Sequence, residues 1–327
     1  MHYLRPSADA ALTLTALRGW LEADAPPPLL IETSGSSGRP KGVVLSRAAV
    51  LASAHATARR LGGSGPWALA LPSTYVAGVQ VIVRSLLAGH DPVLDGWGGA
   101  AYTSLVPTQL HRLLDSEADL AALCAMDAVL LGGGPIDGSL RARAEAEGVS
   151  VVATYGASET AGGCVYDGLP LDGVAIAVGA DGRVRLAGPV LFDGYVGDPA
   201  LTAETLVEGW FLTSDAGRLD EDGRLVVLGR LDDVVVSGGV NVPLPAVAAR
   251  LRGHPDVVAA EVVGVEDPEW GHRVVAFVVG RLGRDAARDW VGAVHPRGWV
   301  PQDVVLLDAL PLLANGKVDR IALRGLV

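Results

Sequence analysis

Between Thr33 and Gly42 the chain reads Thr33-Ser34-Gly35-Ser36-Ser37-Gly38-Arg39-Pro40-Lys41-Gly42, a turn of hydroxyls, spaced glycines and one lysine. These residue types suit the gripping of a polyphosphate. Glycines let backbone N–H groups approach phosphate oxygens, hydroxyls add donors, and Lys41 brings a mobile positive charge. The spacing is not that of the loop G-x-x-x-x-G-K-[ST], because Lys41 lies between Pro40 and Gly42, and a kinase or GTPase of that kind is not expected. The same stretch can also be read as a flexible Gly/Ser connection.

Further along, Tyr155-Gly156-Ala157-Ser158-Glu159-Thr160 follows an apolar run, where open α/β sheets place their ligands. The Tyr155 ring can stack on a flat base, the Ser158 hydroxyl can reach a phosphate, and the Glu159 carboxylate can hold Mg²⁺ against phosphate oxygens. Asp215 and Arg230 are a carboxylate and a guanidinium suited to a vicinal diol and an anion. The bland alternatives are a solvated loop carboxylate for Glu159 and a surface pair for Asp215 and Arg230.

The elements that must position these groups change in texture along the chain. Up to about residue 155, short apolar runs alternate with helical patterns, which predicts α/β layers. Strands are expected over 29–32, 67–71, 92–94, 103–106, 128–131 and 151–154. Helices are expected from an N-cap at Ser46 to Gly62, from Pro107, and over 136–147. Residues 168–230 show valine-rich runs with Asp-Gly turns at Asp181-Gly182 and Asp222-Gly223, a β-rich subdomain of hairpins. Beyond Asp232 a helix over 245–251, strands over 257–263 and 274–279 and a helix over 285–294 predict a small α+β domain. The expected boundary therefore lies between 1–231 and 232–327.

Composition narrows the class of molecule. The chain has 327 residues, half of them hydrophobic, and no membrane-length apolar run or secretion signal is visible, so a cytoplasmic protein without stable membrane association is expected. A net charge of −11 without a basic stripe argues against nucleic acid as a partner. Cys124 and Cys164 are too few for a disulfide framework and lack metal-ligand spacing; Cys124 is expected to pack in a helix.

Taken in order, these motifs resemble those of the adenylate-forming superfamily of acyl-CoA synthetases, adenylation domains and luciferases. Thr33 to Lys41 resembles its phosphate loop, Gly132-Gly133-Gly134-Pro135 the glycine turn lining its adenine pocket, and Tyr155 to Thr160 its Tyr-Gly-x-Thr-Glu segment with Ser158 in place of threonine. Thr213-Ser214-Asp215 resembles its Thr-Gly-Asp motif, and Gly229-Arg230-Leu231-Asp232 its Gly-Arg-x-Asp hinge. Ser237-Gly238-Gly239-Val240-Asn241 and Asn315-Gly316-Lys317 resemble its two C-terminal motifs.

The resemblance implies a large N-terminal domain, a small mobile C-terminal domain pivoting at Asp232, and ATP, Mg²⁺ and CoA as ligands. It assigns Asp215 to the ribose, Arg230 to the nucleotide, Gly238 and Gly239 to passage of the pantetheine arm, and Lys317 to the meeting of substrate carboxylate and α-phosphate. The phosphate loop comes early, at Thr33, so a reduced N-terminal architecture is expected.

Within the superfamily the likeness is to short bacterial o-succinylbenzoate:CoA ligases of menaquinone biosynthesis. Two stretches carry it: Pro72-Ser73-Thr74-Tyr75-Val76-Ala77-Gly78 running on to Arg84, and Gly162-Gly163-Cys164-Val165-Tyr166 after the magnesium motif. Where relatives often carry histidine, this chain has Thr74-Tyr75. The likeness places Tyr75, Gly78, Arg84 and Gly163 at the acid. Residues 73–83 contain no Asp or Glu to pair an ammonium, so a plain carboxylic acid is expected over an amino acid. Arg84 is either a partner for a second carboxylate or a solvated helix arginine. Free CoA is the expected acceptor, a homodimer is possible, and the rivals are a ligase for another aryl or medium-chain acid and a catalytically silent nucleotide-binding protein.

Overall fold

Two four-residue runs, Tyr102–Leu105 and Ala128–Leu131, are buried at every position and pair in parallel, Tyr102 opposite Ala128. Strands buried at every position need cover on both faces, the mark of a parallel sheet interior. They form the middle of a six-stranded sheet in the order Trp67–Ala68, Tyr102–Leu105, Ala128–Leu131, Val151–Ala157, Gly162–Tyr166, Leu169–Pro170. The first four strands are parallel and the last two antiparallel. The structure is a computed structural model that describes residues 2–33, 41–311 and 318–327.

The helices around this sheet begin and end where the side chains dictate. Ser46 caps Arg47–Leu61 by accepting from the Ala49 N–H at 3.2 Å, and Pro107 opens Pro107–Leu113. Val76–Leu87 is buried continuously from Gly78 to Ser85. One cluster on the sheet joins Leu105, Leu110, Leu123, Val129 and Leu131, all at most 1 % exposed. Truncating one such leucine to alanine costs about 2–5 kcal/mol.

A three-stranded sheet holds Leu29–Thr33, Lys41–Leu45 and Gly194–Tyr195, with Lys41–Leu45 central. Thr33 pairs with Lys41 and Tyr195 with Val43. The expected β-rich stretch contains a sheet of Leu206–Val207, Trp210–Leu219, Arg183–Ala187 and Ala175–Val178, with Leu225–Arg230 beside Trp210–Leu219. The C-terminal sheet runs Val240–Pro243, Val234–Ser237, Gly271–Gly280, Val257–Asp267, with Asp303–Leu306 parallel to Gly271–Gly280. Helices Leu244–Arg252 and Arg284–Gly292 supply Leu244, Val247, Leu251 and Val291 to its core.

By contact the chain forms two compact units. One is Met1–Gly179, Arg185–Thr213 and Leu219–Leu225; the other is Ala180–Val184, Ser214–Arg218 and Val226–Val327.

Three expectations are corrected. The strand expected over 67–71 is only Trp67–Ala68, since Pro72 and Ser73 begin a turn that leads into the next helix. The strand over 92–94 shrinks to a single bridge from Val93 to Ala68, because Pro92 offers no N–H and Gly96 turns the chain away. Cys124 lies in the helix Glu117–Cys124 but is exposed at its last position, with Sγ donating to the Glu147 carbonyl at 3.2 Å. Helix Ala10–Glu22, capped by Asp9, was not anticipated, although Leu17 and Trp20 three residues apart carry its buried face.

Candidate active site

Val151–Ala157 leaves the parallel sheet at its carboxyl end and passes into a single 3₁₀ turn, Ser158–Thr160. Thr160, fully buried, holds the turn: its hydroxyl accepts from the Ala157 N–H at 2.9 Å and lies 2.7 Å from the Gly162 carbonyl. The return strand crosses so closely that a Cβ on Gly156 would stand 2.2 Å from the Gly162 carbonyl oxygen, so this position admits no side chain. Glu159 is thus fixed at the end of the sheet, half-buried.

Two other segments converge on it. The Phe192 N–H donates to the Glu159 carbonyl at 2.9 Å, and the Tyr195 hydroxyl donates to Glu159 Oε1 at 2.8 Å. Tyr195 pairs with Val43 of the Lys41–Leu45 strand, which puts Lys41 diagonally across on the same face. The Lys41 Nζ lies 5.5 Å from the centre of the Tyr195 ring, within the range of a cation–π contact. Burial first, and then the Glu159 charge and hydrogen bond, push the Tyr195 hydroxyl well above its ordinary pKa, so it stays a donor.

Lys41 and Glu159 are therefore brought together through a tyrosine that the sequence reading did not single out. Its only local mark is the pair Gly194-Tyr195. Among the described residues no three His, Cys, Asp or Glu side chains converge on one point. A cation at Glu159 would draw its remaining ligands from phosphate oxygens and water, which is how Mg²⁺ is usually held.

Thr33 stands opposite Lys41 in the strand pair, with its hydroxyl 3.5 Å from the Lys41 carbonyl. Ser34, Gly35, Ser36, Ser37 and Gly38 lie outside the described residues. Gly133 and Gly134 follow Ala128–Leu131, whose Leu131 is opposite Ala153, so they leave the sheet beside Tyr155 and Gly156. The tight approach there is at Gly132, where a Cβ would come 2.3 Å from Thr154 Oγ1; Gly134 is open. Ser158 opens the 3₁₀ turn.

The acid-side residues divide. Tyr75 precedes helix Val76–Leu87 and is 56 % exposed. At Gly78 a Cβ would lie 2.2 Å from the Pro72 carbonyl oxygen, so this glycine lets the preceding turn pack on the helix. Arg84 is buried, 7 % exposed, which excludes the solvated reading. Its guanidinium stands 5.1 Å from the centre of the Trp67 ring, and its Nε has no hydrogen-bond partner. Burial lowers its pKa, with a charge and hydrogen-bond interaction at Tyr166 opposing. Tyr166 shares a 2.9 Å hydrogen bond with Thr57 and lies 3.2 Å from where a Gly163 Cβ would stand, so Arg84 and Gly163 meet at this tyrosine. Among the described residues no carboxylate forms an ion pair with Arg84.

In the second unit Arg230 Nη1 and Asp215 Oδ1 stand 3.6 Å apart. Asp232 falls within the 3₁₀ turn Leu231–Asp233. Gly238 and Gly239 form a two-residue hairpin turn, both at positive φ (55° and 78°), between Val234–Ser237 and Val240–Pro243. Lys317 lies outside the described residues.

Comparison with known proteins adds an independent line. The AMP-binding enzyme family matches residues 27–196, and the AMP-binding enzyme C-terminal domain matches residues 246–317. A Mycobacterium tuberculosis protein named "Probable 2-succinylbenzoate--CoA ligase" is 42 % identical over 95 % of this chain and 87 % of its own. The 2-succinylbenzoate--CoA ligase of Geobacillus kaustophilus is 33 % identical over 91 % of this chain and 69 % of its own.

Among solved structures, o-succinylbenzoate CoA synthetase (MenE) from Bacillus subtilis, in complex with the acyl-adenylate intermediate OSB-AMP, aligns with a TM-score of 0.75 at 28 % identity, over 90 % of this chain and 68 % of that one. Apo MatB from Rhodopseudomonas palustris aligns with a TM-score of 0.78 at 25 % identity, over 91 % and 67 %. The fold is the adenylate-forming one, and with both of its parts matched in order along a single sequence, the chain belongs to the AMP-binding enzyme family.

Proposed function

We propose that this protein is an ATP-dependent acid:CoA ligase that forms o-succinylbenzoyl-CoA through an acyl-AMP intermediate. The names of its relatives support the reaction. The observation in this chain that carries the substrate is Arg84: a buried guanidinium with no carboxylate partner among the described residues, sharing Tyr166 as a neighbour with Gly163, is a place for the second carboxylate of a diacid.

In the first step a substrate carboxylate oxygen attacks the α-phosphorus of ATP and pyrophosphate leaves. Lys41, Thr33 and the hydroxyls of 34–37 hold the outer phosphates. The Gly133-Gly134 turn and Tyr155 flank the adenine, Ser158 reaches phosphate, and Asp215 and Arg230 take the ribose and phosphate. Glu159 would hold Mg²⁺, which supplies charge neutralisation on the triphosphate. Lys317 bridges the carboxylate and the α-phosphate. In the second step the CoA thiolate attacks the acyl carbonyl and AMP leaves, with the pantetheine arm passing Gly238 and Gly239. The division at 231/232 with Asp232 as the pivot, a cytoplasmic location and free acid and CoA as partners belong to the same reading. Among the described residues no helix is long and apolar enough to cross a membrane.

The test is pyrophosphate release with ATP, Mg²⁺ and CoA across o-succinylbenzoate, benzoate, a medium-chain fatty acid and several amino acids. A response confined to o-succinylbenzoate is expected; a response to another acid keeps the mechanism and replaces the substrate. Lys317→Ala should lower acyl-AMP formation by about 100-fold or more, as expected for loss of a charge at the reacting phosphate, and spare CoA transfer from pre-made acyl-AMP. Equal loss of both half-reactions would contradict the assigned role.

A further inference from the structure

We propose that Tyr195 is a positioning residue of the nucleotide site, one that locks the Glu159 carboxylate and the Lys41 ammonium into a fixed mutual arrangement before ATP arrives. The proposal rests on the adenylation reading above and extends it to a residue with no assigned role.

The segment carrying Tyr195 grips Glu159 at two points: the Phe192 N–H bonds its carbonyl, and the Tyr195 hydroxyl bonds Oε1 at 2.8 Å. One oxygen of the carboxylate thereby accepts a hydrogen bond from a fixed donor, which restrains its direction. The ring of the same residue carries the Lys41 ammonium at 5.5 Å. Tyr195 is itself held from several sides. Its N–H donates to Thr202 Oγ1 at 2.9 Å, and Phe192 packs edge-on to it at 4.9 Å. Strand pairing with Val43 sets its register against Lys41.

A buried tyrosine hydroxyl needs a partner, and Glu159 satisfies it; that alone would be a structural role. The cation on the ring face is a separate contact that hydroxyl satisfaction does not require. With the anion on its hydroxyl and the cation on its ring, one rigid side chain spaces two opposite charges. Prearranging them lowers the ordering cost when a metal-bound triphosphate binds.

Two variants separate the contacts. Tyr195→Phe keeps the ring and removes the hydroxyl; Tyr195→Leu removes both. Calorimetric titration of Mg·ATP onto the unreacting enzyme should show Tyr195→Phe binding about tenfold more weakly, the loss expected for a charge-assisted hydrogen bond. The KM for ATP should rise with it, while CoA transfer from pre-made acyl-AMP stays within about twofold, since that half-reaction does not use the triphosphate. Tyr195→Leu should lose a further factor that disappears when Lys41→Met is already present.

The deciding measurement is the cycle with Glu159→Gln. If Tyr195 acts through the carboxylate, Tyr195→Phe adds no further loss of Mg·ATP affinity in that background; a merely structural loss persists there. Unchanged affinity in Tyr195→Phe, or the same loss with and without Glu159→Gln, overturns the proposal. Wild-type protein that binds no Mg·ATP would overturn the adenylation reading itself, a result distinct from either.

Discussion

Arg320 in the second compact unit and Arg84 in the first are handled in opposite ways. The Arg320 guanidinium lies between two carboxylates, bonded to Asp233 Oδ1 and 3.0 Å from Glu261 Oε1. Arg84 is more deeply buried, yet what surrounds it is the Trp67 ring and Tyr166, and its Nε stays unpaired. Burying a charge without a counter-charge is costly, and folding alone does not require it here. The contrast separates a charge whose counter-charges lie within the chain from one that has none among the described residues. Glu159 belongs with Arg84 in this respect, since one of its oxygens is tied to a neutral hydroxyl and no described cation pairs with it.

The largest expected effect comes from removing the open charge. Arg84→Met should lower kcat/KM for o-succinylbenzoate by about 100-fold, the scale of a lost charge-assisted bond, while a monoacid is affected far less. Its melting temperature should hold or rise, because a desolvated cation is being replaced by an apolar chain of similar length. Unchanged apparent affinity for the diacid would remove Arg84 from the site.

Arg320→Met should do the reverse. Asp233 and Glu261 would be left close together without their cation, and urea unfolding should show a loss of about 1–2 kcal/mol, discounted from a fully buried pair because the arginine is about a third exposed. KM for the acid should not move. A stability loss at Arg84→Met and none at Arg320→Met would dissolve the comparison.

The smallest effect concerns the thiols. Burial pushes Cys164 up to about 12, whereas Cys124 is exposed. A thiol reagent should therefore modify Cys124 in the folded protein and reach Cys164 only on unfolding. The sign for stability follows from the raised value: the folded state keeps a proton that the unfolded chain sheds above its ordinary thiol pKa. Stability should thus fall as pH rises from that value toward 12, and Cys164→Ala should flatten that slope.

Much of the placement of the candidate residues was legible in order. Gly156 and Glu159 stand where a strand of the parallel sheet ends, as their spacing predicted, and the Asp-Gly pairs fall between strands that pair. Ser46 caps the helix it was expected to cap. Tyr195 was not legible, because its meaning arises from pairing with Val43 and from contact with Glu159, both distant in sequence. Helical spacing could bring Arg84 near Gln80 on one face but could not say that the face is buried without a carboxylate.

What the sequence determined by itself is local: the chemical types in each motif, the residues that start and stop elements, and the glycines where chains cross. Such signals work within one helical turn or one strand pair. Only the tertiary structure decided which charges meet a counter-charge and which do not. Compensation of a buried charge depends on whatever side chains the sheets and helices carry to it from elsewhere, and no short-range pattern encodes that arrival.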